Sequence, residues 1–192
     1  MVRVGVLAAM AALALAACNE SSVPLPDTPA GAQAPVELTA TQPTRGRANL
    51  TDEERTQWET SVRNYLDSMQ QQSGLPKHEQ IADVIVPMEP GRDHRWYVDL
   101  VAGATYHFVG ACDADCSNVD VEIIAPQGGV AASDLLPDDY PVATITPQQN
   151  GRYIARLMMI ACEVAPCYAG VRALTEPAAG AATPSAPAPD KQ

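Results

Sequence analysis

The distribution of apolar positions changes period three times along this chain. Residues 4–17 are an almost unbroken apolar run, "VGVLAAMAALALAA". Residues 19–49 have no sustained period and no aromatic residue, only Pro, Ala, Thr and Ser in abundance. In "LTDEERTQWETSVRNYLDSMQQQSG", residues 50–74, the apolar residues Trp58, Val62, Tyr65, Leu66 and Met69 recur at helical spacing, which predicts one amphipathic helix. Thr51 with Glu54 fits a capping box, acids crowd the first turn, and Gly74 offers a stop.

After residue 80 the period becomes two. "HRWYVDL" alternates Trp96, Val98 and Leu100 against Tyr97 and Asp99. "ATYHFVG" sets Tyr106 and Phe108 against Thr105 and His107, and "NVDVEII" sets Val119, Val121 and Ile123 against Asp120 and Glu122. Further runs at 81–86, 130–132, 142–146, 152–160 and 168–174 bring the expectation to about eight short strands separated by Gly, Pro and Asp turns. That pattern predicts a mainly β, antiparallel sandwich spanning 75–175, preceded by the helix. The helical stripe is expected to dock on the sandwich, with a partner-docking surface formed by Trp58, Val62, Tyr65, Leu66 and Met69 as the alternative.

The apolar opening gives the compartment. Arg3 precedes an acid-free run too short for a stable span, the layout of a secretory signal over residues 1–17. Leu15-Ala16-Ala17-Cys18 resembles a bacterial lipobox, which implies that Cys18 becomes a lipid-bearing first residue. Asn19 follows, and by the same resemblance this favours the outer membrane of a cell envelope. A single chain binds a bilayer only marginally, so firm anchoring implies several acyl chains. Residues 18–49 then read as a flexible linker reaching up to about 100 Å at ~3.1 Å per residue. Residues 176–192 read as a disordered tail of similar composition.

Without the signal the chain carries 11 Lys and Arg against 23 Asp and Glu, a net −12. Such a body repels phosphate backbones and anionic lipid surfaces, which excludes nucleic acid and leaves cations, basic proteins of the envelope or neutral glycans as partners.

Five cysteines are present, and with Cys18 lipidated an even four remain: Cys112, Cys116, Cys162 and Cys167. In an exported chain these read as two disulfides. Neither spacing is that of a CxxC redox pair, and a four-thiolate zinc site is disfavoured where thiols oxidise. Long-range pairing would constrain the unfolded chain more, at about 4 against about 2 kcal/mol. Hairpin geometry at the tight loop 163–166 favours the local pairs Cys112–Cys116 and Cys162–Cys167.

The first pair falls within "GACDADCSNVD", whose Asp113, Asp115 and Asp120 are candidates for weak calcium binding. The register of an EF-hand fails, because Asn118 holds the glycine position and Ile124 the bidentate glutamate position. Asp134, Asp138 and Asp139 form a second acidic loop. Solvated turn aspartates are the simpler expectation.

No catalytic constellation emerges. His78, His94 and His107 lie at no ligand spacing, and Ser133 in "AASDLL" has no nucleophile elbow. The expectation is a non-enzymatic protein without a resident cofactor. Tyr97, Tyr140 and Tyr168 are the aromatics that a glycan-binding surface would need.

The order "RWYVDLVAGATYHF", "SNVDVEIIAPQGGVAASD", "DDYPVATITPQQNGRYIARL" and "YAGVRAL" resembles the bacterial pre-peptidase C-terminal domain over residues 81–174. The best-matching positions are Gly103 before Tyr106, Asp120, Gly128 and Gly151-Arg152-Tyr153. The resemblance implies a jelly-roll-like β-sandwich and defines no catalytic site. It departs in having no peptidase domain upstream and no acid opening the turn "APQG".

Overall fold

The computed structural model describes residues 23–38 and 44–176. The signal run, Cys18 and the tail from residue 177 lie outside the described residues.

The first regular elements are a two-residue strand β1 (Gly46–Arg47) and the helix α1 (Asp52–Ser73). The capping box forms as the sequence predicts: Glu54 N–H donates to the Thr51 hydroxyl, and the Glu54 carboxylate accepts from Thr51 N–H at 2.7 Å. Gly74 closes the helix at φ 67°, the left-handed conformation that costs glycine least. Thereafter the chain is strands: β2 (Val84–Met88), β3 (Arg92–Leu100), β4 (Tyr106–Cys112), β5 (Cys116–Ile124), β6 (Val130–Asp134), β7 (Val142–Ile145), β8 (Gly151–Cys162), β9 (Val164–Ala165) and β10 (Cys167–Thr175).

Eight of these form two four-stranded antiparallel sheets packed face to face, ordered β2-β10-β4-β7 and β3-β8-β5-β6. The expected β-sandwich with a preceding helix is therefore present. The alternation predicted along β5 places Val119, Val121 and Ile123 in the interior, where they meet Phe108, Tyr153, Leu157 and Val171 in one buried cluster. Each fully buried aliphatic or aromatic side chain contributes about 1.5–3 kcal/mol.

The helix lies on the outer face of the β2-β10-β4-β7 sheet. Val62 and Leu66 are fully buried against Val109, Ala111, Tyr168 and Leu174, and Trp58, Tyr65 and Met69 pack around them. Gly170 on β10 permits this approach: a Cβ there would stand 2.7 Å from Val84 O and 3.0 Å from Val62 Cγ1. Arg172 locks the contact from below, donating to Asp67 (2.6 Å) and Gln70 (2.9 Å) on the helix and to Asp83 before β2. Burial works to raise the Asp83 carboxyl, but Arg172 and Lys77 together outweigh it and hold it below the usual range.

The segment before the helix departs from the expectation of a free linker. Residues 23–38 lie as a strap across the outer face of the β3-β8-β5-β6 sheet. Residues 44–48 then join the far end of the sandwich, where β1 pairs in parallel with β9. Composition made the strap look structureless because it has no aromatic residue and no sustained hydrophobic period. Its hold on the body comes from backbone groups and from charged residues supplied by the sheet.

Candidate functional site

The strap covers a charged row. Antiparallel register sets Arg95 opposite Arg156 and Arg156 opposite Glu122, so one line of side chains crosses β3, β8 and β5 on the outer face. Met158 flanks it on one side, between Asp93 and Asp120, and Ile154 and Ile124 flank it on the other, all three apolar side chains buried. The polar positions that alternate along "NVDVEII" are covered as well: Asp120 and Glu122 are 6% and 0% exposed.

Glu122 and Arg156 engage one residue of the strap, Val36, at both its N–H and its C=O. Val36 N–H donates to Glu122 Oε1 at 3.1 Å, while Arg156 Nη1 donates to Val36 O at 2.8 Å and to Glu122 Oε2 at 2.7 Å. Arg156 Nε also donates to Asp93 (2.5 Å), and Arg95 joins Asp93 by two bonds and Val23 O by one at 3.2 Å. Burial works to raise the Asp93 carboxyl, but the two arginines prevail and hold it below the usual range. Two buried charges are costly unless paired and fully hydrogen-bonded, and here the strap's backbone completes their set.

The strap bends through Pro29–Ala32, whose N–H and C=O close a turn at 3.1 Å, and its return limb accepts Val130 N–H at Gln33 O (2.8 Å). Gly128, at φ 92°, makes room for it: a Cβ there would sit 2.1 Å from Asp27 O. Both groups of Val36 that the row engages, its N–H and its C=O, belong to the backbone.

At one end of the sandwich the two disulfides Cys112–Cys116 and Cys162–Cys167 form the local pairing, each with Cα atoms 5.9 Å apart. The reason differs from the hairpin argument. Cys112 and Cys116 sit on β4 and β5, and Cys162 and Cys167 on β8 and β10, so each bridge joins strands of opposite sheets. They staple the layers together where the chain arches over, rather than fastening the base of a hairpin.

The aspartates of "GACDADCSNVD" do not come together, and among the described residues no three His, Cys, Asp or Glu side chains gather to hold a metal ion. Asp113 is 3% exposed and turned inward, against the expectation of a solvated turn. It accepts Tyr168 N–H at 2.6 Å and Asp115 N–H at 3.2 Å, and its own N–H donates to Tyr168 O at 2.9 Å. Burial, with the neighbouring Asp115 charge, pushes its carboxyl up to about 6 against the pull of those amides. Asp115 instead lines the disulfide loop, its C=O accepting Glu163 N–H at 2.7 Å. Asp120 stands on the outer face of β5 with Oδ1 buried and unpartnered, and burial beside Asp134, Glu122 and Asp138 raises it to about 6.

The remaining candidates are dispersed. His107 Nδ1 is 2.9 Å from the Thr144 hydroxyl and Nε2 is 3.3 Å from Glu176. His78 stacks near Tyr106 at 5.5 Å, and His94 near Trp96 at 5.7 Å. Ser133 pairs with Glu122 across β5 and β6. Of the three tyrosines, Tyr168 is buried at 2%, Tyr140 packs edge-on against Tyr65 of the helix, and Tyr97 is 51% exposed under the Arg152 guanidinium. They form no common row. The partner-docking stripe is turned into the sandwich, which leaves the helix's polar side, including Glu53, Thr56, Thr60 and Asn64, facing out.

Sequence reasoning missed the strap and the charged row under it. The signal available was the pair Glu122 and Arg156, two charges in strands otherwise rich in aliphatic residues. No family model matches this chain, and no curated protein matches it.

Proposed function

We propose that this chain is a lipid-anchored protein of the bacterial cell envelope, attached through Cys18, whose β-sandwich serves as a non-enzymatic binding or structural module. The observation that carries this reading is the pair of disulfides across the sheets. They account for all four cysteines beyond the apolar run and fit an oxidising compartment, which leaves Cys18 alone after the lipobox-like residues. The strand order supports the finer fold reading as well. Counting the eight long strands, one sheet runs first, eighth, third, sixth and the other second, seventh, fourth, fifth, the interleaving of a jelly roll. That order agrees with the resemblance to the pre-peptidase C-terminal domain.

The test is membrane fractionation of the wild type and of Cys18→Ser, with labelled fatty acid as tracer. Label on the wild type, with release of the variant into the soluble fraction, supports the anchor; an unlabelled protein, or a variant still sedimenting with membranes, overturns it.

A second reading is an accessory subunit. The apolar stripe is committed to the body, so docking would use the outward polar side of the helix. That side offers hydrogen-bonding side chains without an apolar centre, suited to a polar, wet interface. A glycan-binding surface has less support, since Tyr97, Tyr140 and Tyr168 diverge.

A further inference from the structure

The strap changes what the anchor can do. If residues 18–49 were a free tether, the body could stand about 100 Å from the bilayer. The strap is held from Val23 onward by Arg95, and again at Gln33 and Val36. Cys18 precedes Val23 by only five residues, which span at most roughly 18 Å when fully extended. Part of that length is used within the headgroup layer, about 6–8 Å deep on each side of the hydrocarbon.

We infer that the sandwich lies directly on the lipid headgroups, with the outer face of β3 and β8 around Val23 turned toward the bilayer. This rests on the anchor reading of Cys18. The side chains at that place suit it. Tyr97 is half exposed, the Arg152 guanidinium lies 5.4 Å from its ring centroid, and both wall a cleft of about 270 Å³ with Pro24, Leu25 and Pro26 of the strap. A tyrosine and an arginine with apolar stems and polar tips fit the water–lipid boundary. Asp99, which pairs with Arg152 at 3.2 Å, offsets its charge, so tether length rather than attraction to anionic lipid sets the contact. The helix lies on the opposite sheet. Its polar side is therefore presented to the aqueous compartment, more than about 20 Å farther out.

The experiment uses the full lipidated protein in native membranes. A photoreactive benzophenone amino acid replaces Tyr97 in one variant and Asn64, on the outward side of the helix, in another. Lipid adducts are counted by mass spectrometry after illumination. Adducts at position 97 and background at 64 are expected. A Gly/Ser spacer of about 20 residues inserted between Asn19 and Glu20 leaves the strap intact but lengthens the tether about fivefold. The yield at 97 should then fall roughly tenfold. Equal yields at 97 and 64, or a yield at 97 indifferent to the spacer, overturns the orientation. Fractionation of Cys18→Ser separates the two failures. A protein released by that change yet free of adducts at 97 sinks the orientation alone, whereas one never bound through Cys18 sinks the anchor reading and the orientation with it.

Discussion

Glu122 and Arg156 face each other across β5 and β8 at 2.7 Å, and neither side chain has meaningful access to water. The pair is built into a sheet face that would ordinarily be solvated, and residue 36 of the strap caps it. Removing Arg156 strands Glu122 in a dry setting, at a cost of about 3–5 kcal/mol, whereas removing Glu122 leaves Arg156 still paired with Asp93. Arg156→Leu should lower stability by that amount in urea denaturation, and Glu122→Ala by less. The double change Glu122→Leu with Arg156→Met should recover much of it, since replacing both charges leaves neither unpaired. Hydrogen exchange adds a local readout: protection of the Val36 amide should vanish in the single variants. A single-variant cost under about 1 kcal/mol would mean that the strap swings aside and water serves the site.

Arg172 does for the helix what Arg156 does for the strap. It is buried beneath α1 and donates to Asp67, Gln70 and Asp83, while Asp67 itself is half exposed. Asp67→Ala should cost well under 1 kcal/mol, because a partly solvated ion pair contributes little. Arg172→Met should cost about 3 kcal/mol, because Asp83 loses its principal partner within the body. Loosening of the helix should also appear as a red shift of Trp58 emission, isolated by subtracting the Trp58→Phe spectrum. Comparable costs for the two changes would place the clamp elsewhere than Arg172.

Periodicity made the helix and the sandwich legible, because both are half-buried elements and a single buried face imposes a period. The capping box and Gly74 were equally readable, since those signals are local. The strap was not. A segment held by its backbone leaves no pattern in its own side chains, and its recognition elements sit 72 to 120 residues downstream on β3, β5 and β8. The alternation of "NVDVEII" likewise left undecided what covers Asp120 and Glu122. Alternation reveals that a strand has two faces, and only the remainder of the chain decides whether the second is covered. The disulfide pairing could be reached from sequence spacing, but its mechanical role depended on which sheet each strand joins.

The pH dependence of stability should follow Asp113 and Asp120. Both are raised from 3.8 to about 6, chiefly by burial. As pH rises from about 4 to about 6, the unfolded chain releases these protons before the native state does. Stability contributed by the protonated carboxyls is therefore lost across that window, on the order of 2–3 kcal/mol for each group. Asp83 and Asp93 are lowered, so their contribution is present above the ordinary value and is lost only at more acid pH. Urea midpoints should thus peak near pH 4–5 and decline toward neutrality. Asp120→Asn, which removes a buried charge without a partner at Oδ1, should raise stability at pH 7 and flatten the decline. Stability climbing between pH 4.5 and 6.5 would count against both assignments.

The disulfide end should behave as two short staples rather than one long clasp. Each bridge closes a loop of four or five residues, worth about 2 kcal/mol in the chain-entropy account, and each also spans the two sheets. Non-reducing peptide mapping should return only Cys112–Cys116 and Cys162–Cys167. Crossed peptides are a real alternative, because Cys116 and Cys162 stand opposite each other in the β5–β8 register. Paired changes to Ser should therefore be made one bridge at a time, with about 2 kcal/mol lost for each. The Cys112–Cys116 loop also carries Asp113, whose oxygens are engaged by the Tyr168 and Asp115 amides. A calcium ion would have to displace those bonds, so thermal midpoints in calcium and in EDTA should coincide. True binding at a hundredfold excess over the dissociation constant would add about 2.7 kcal/mol and move the midpoint by several degrees. Such a shift, abolished by Asp113→Asn, would show that the loop opens outward to take a cation after all.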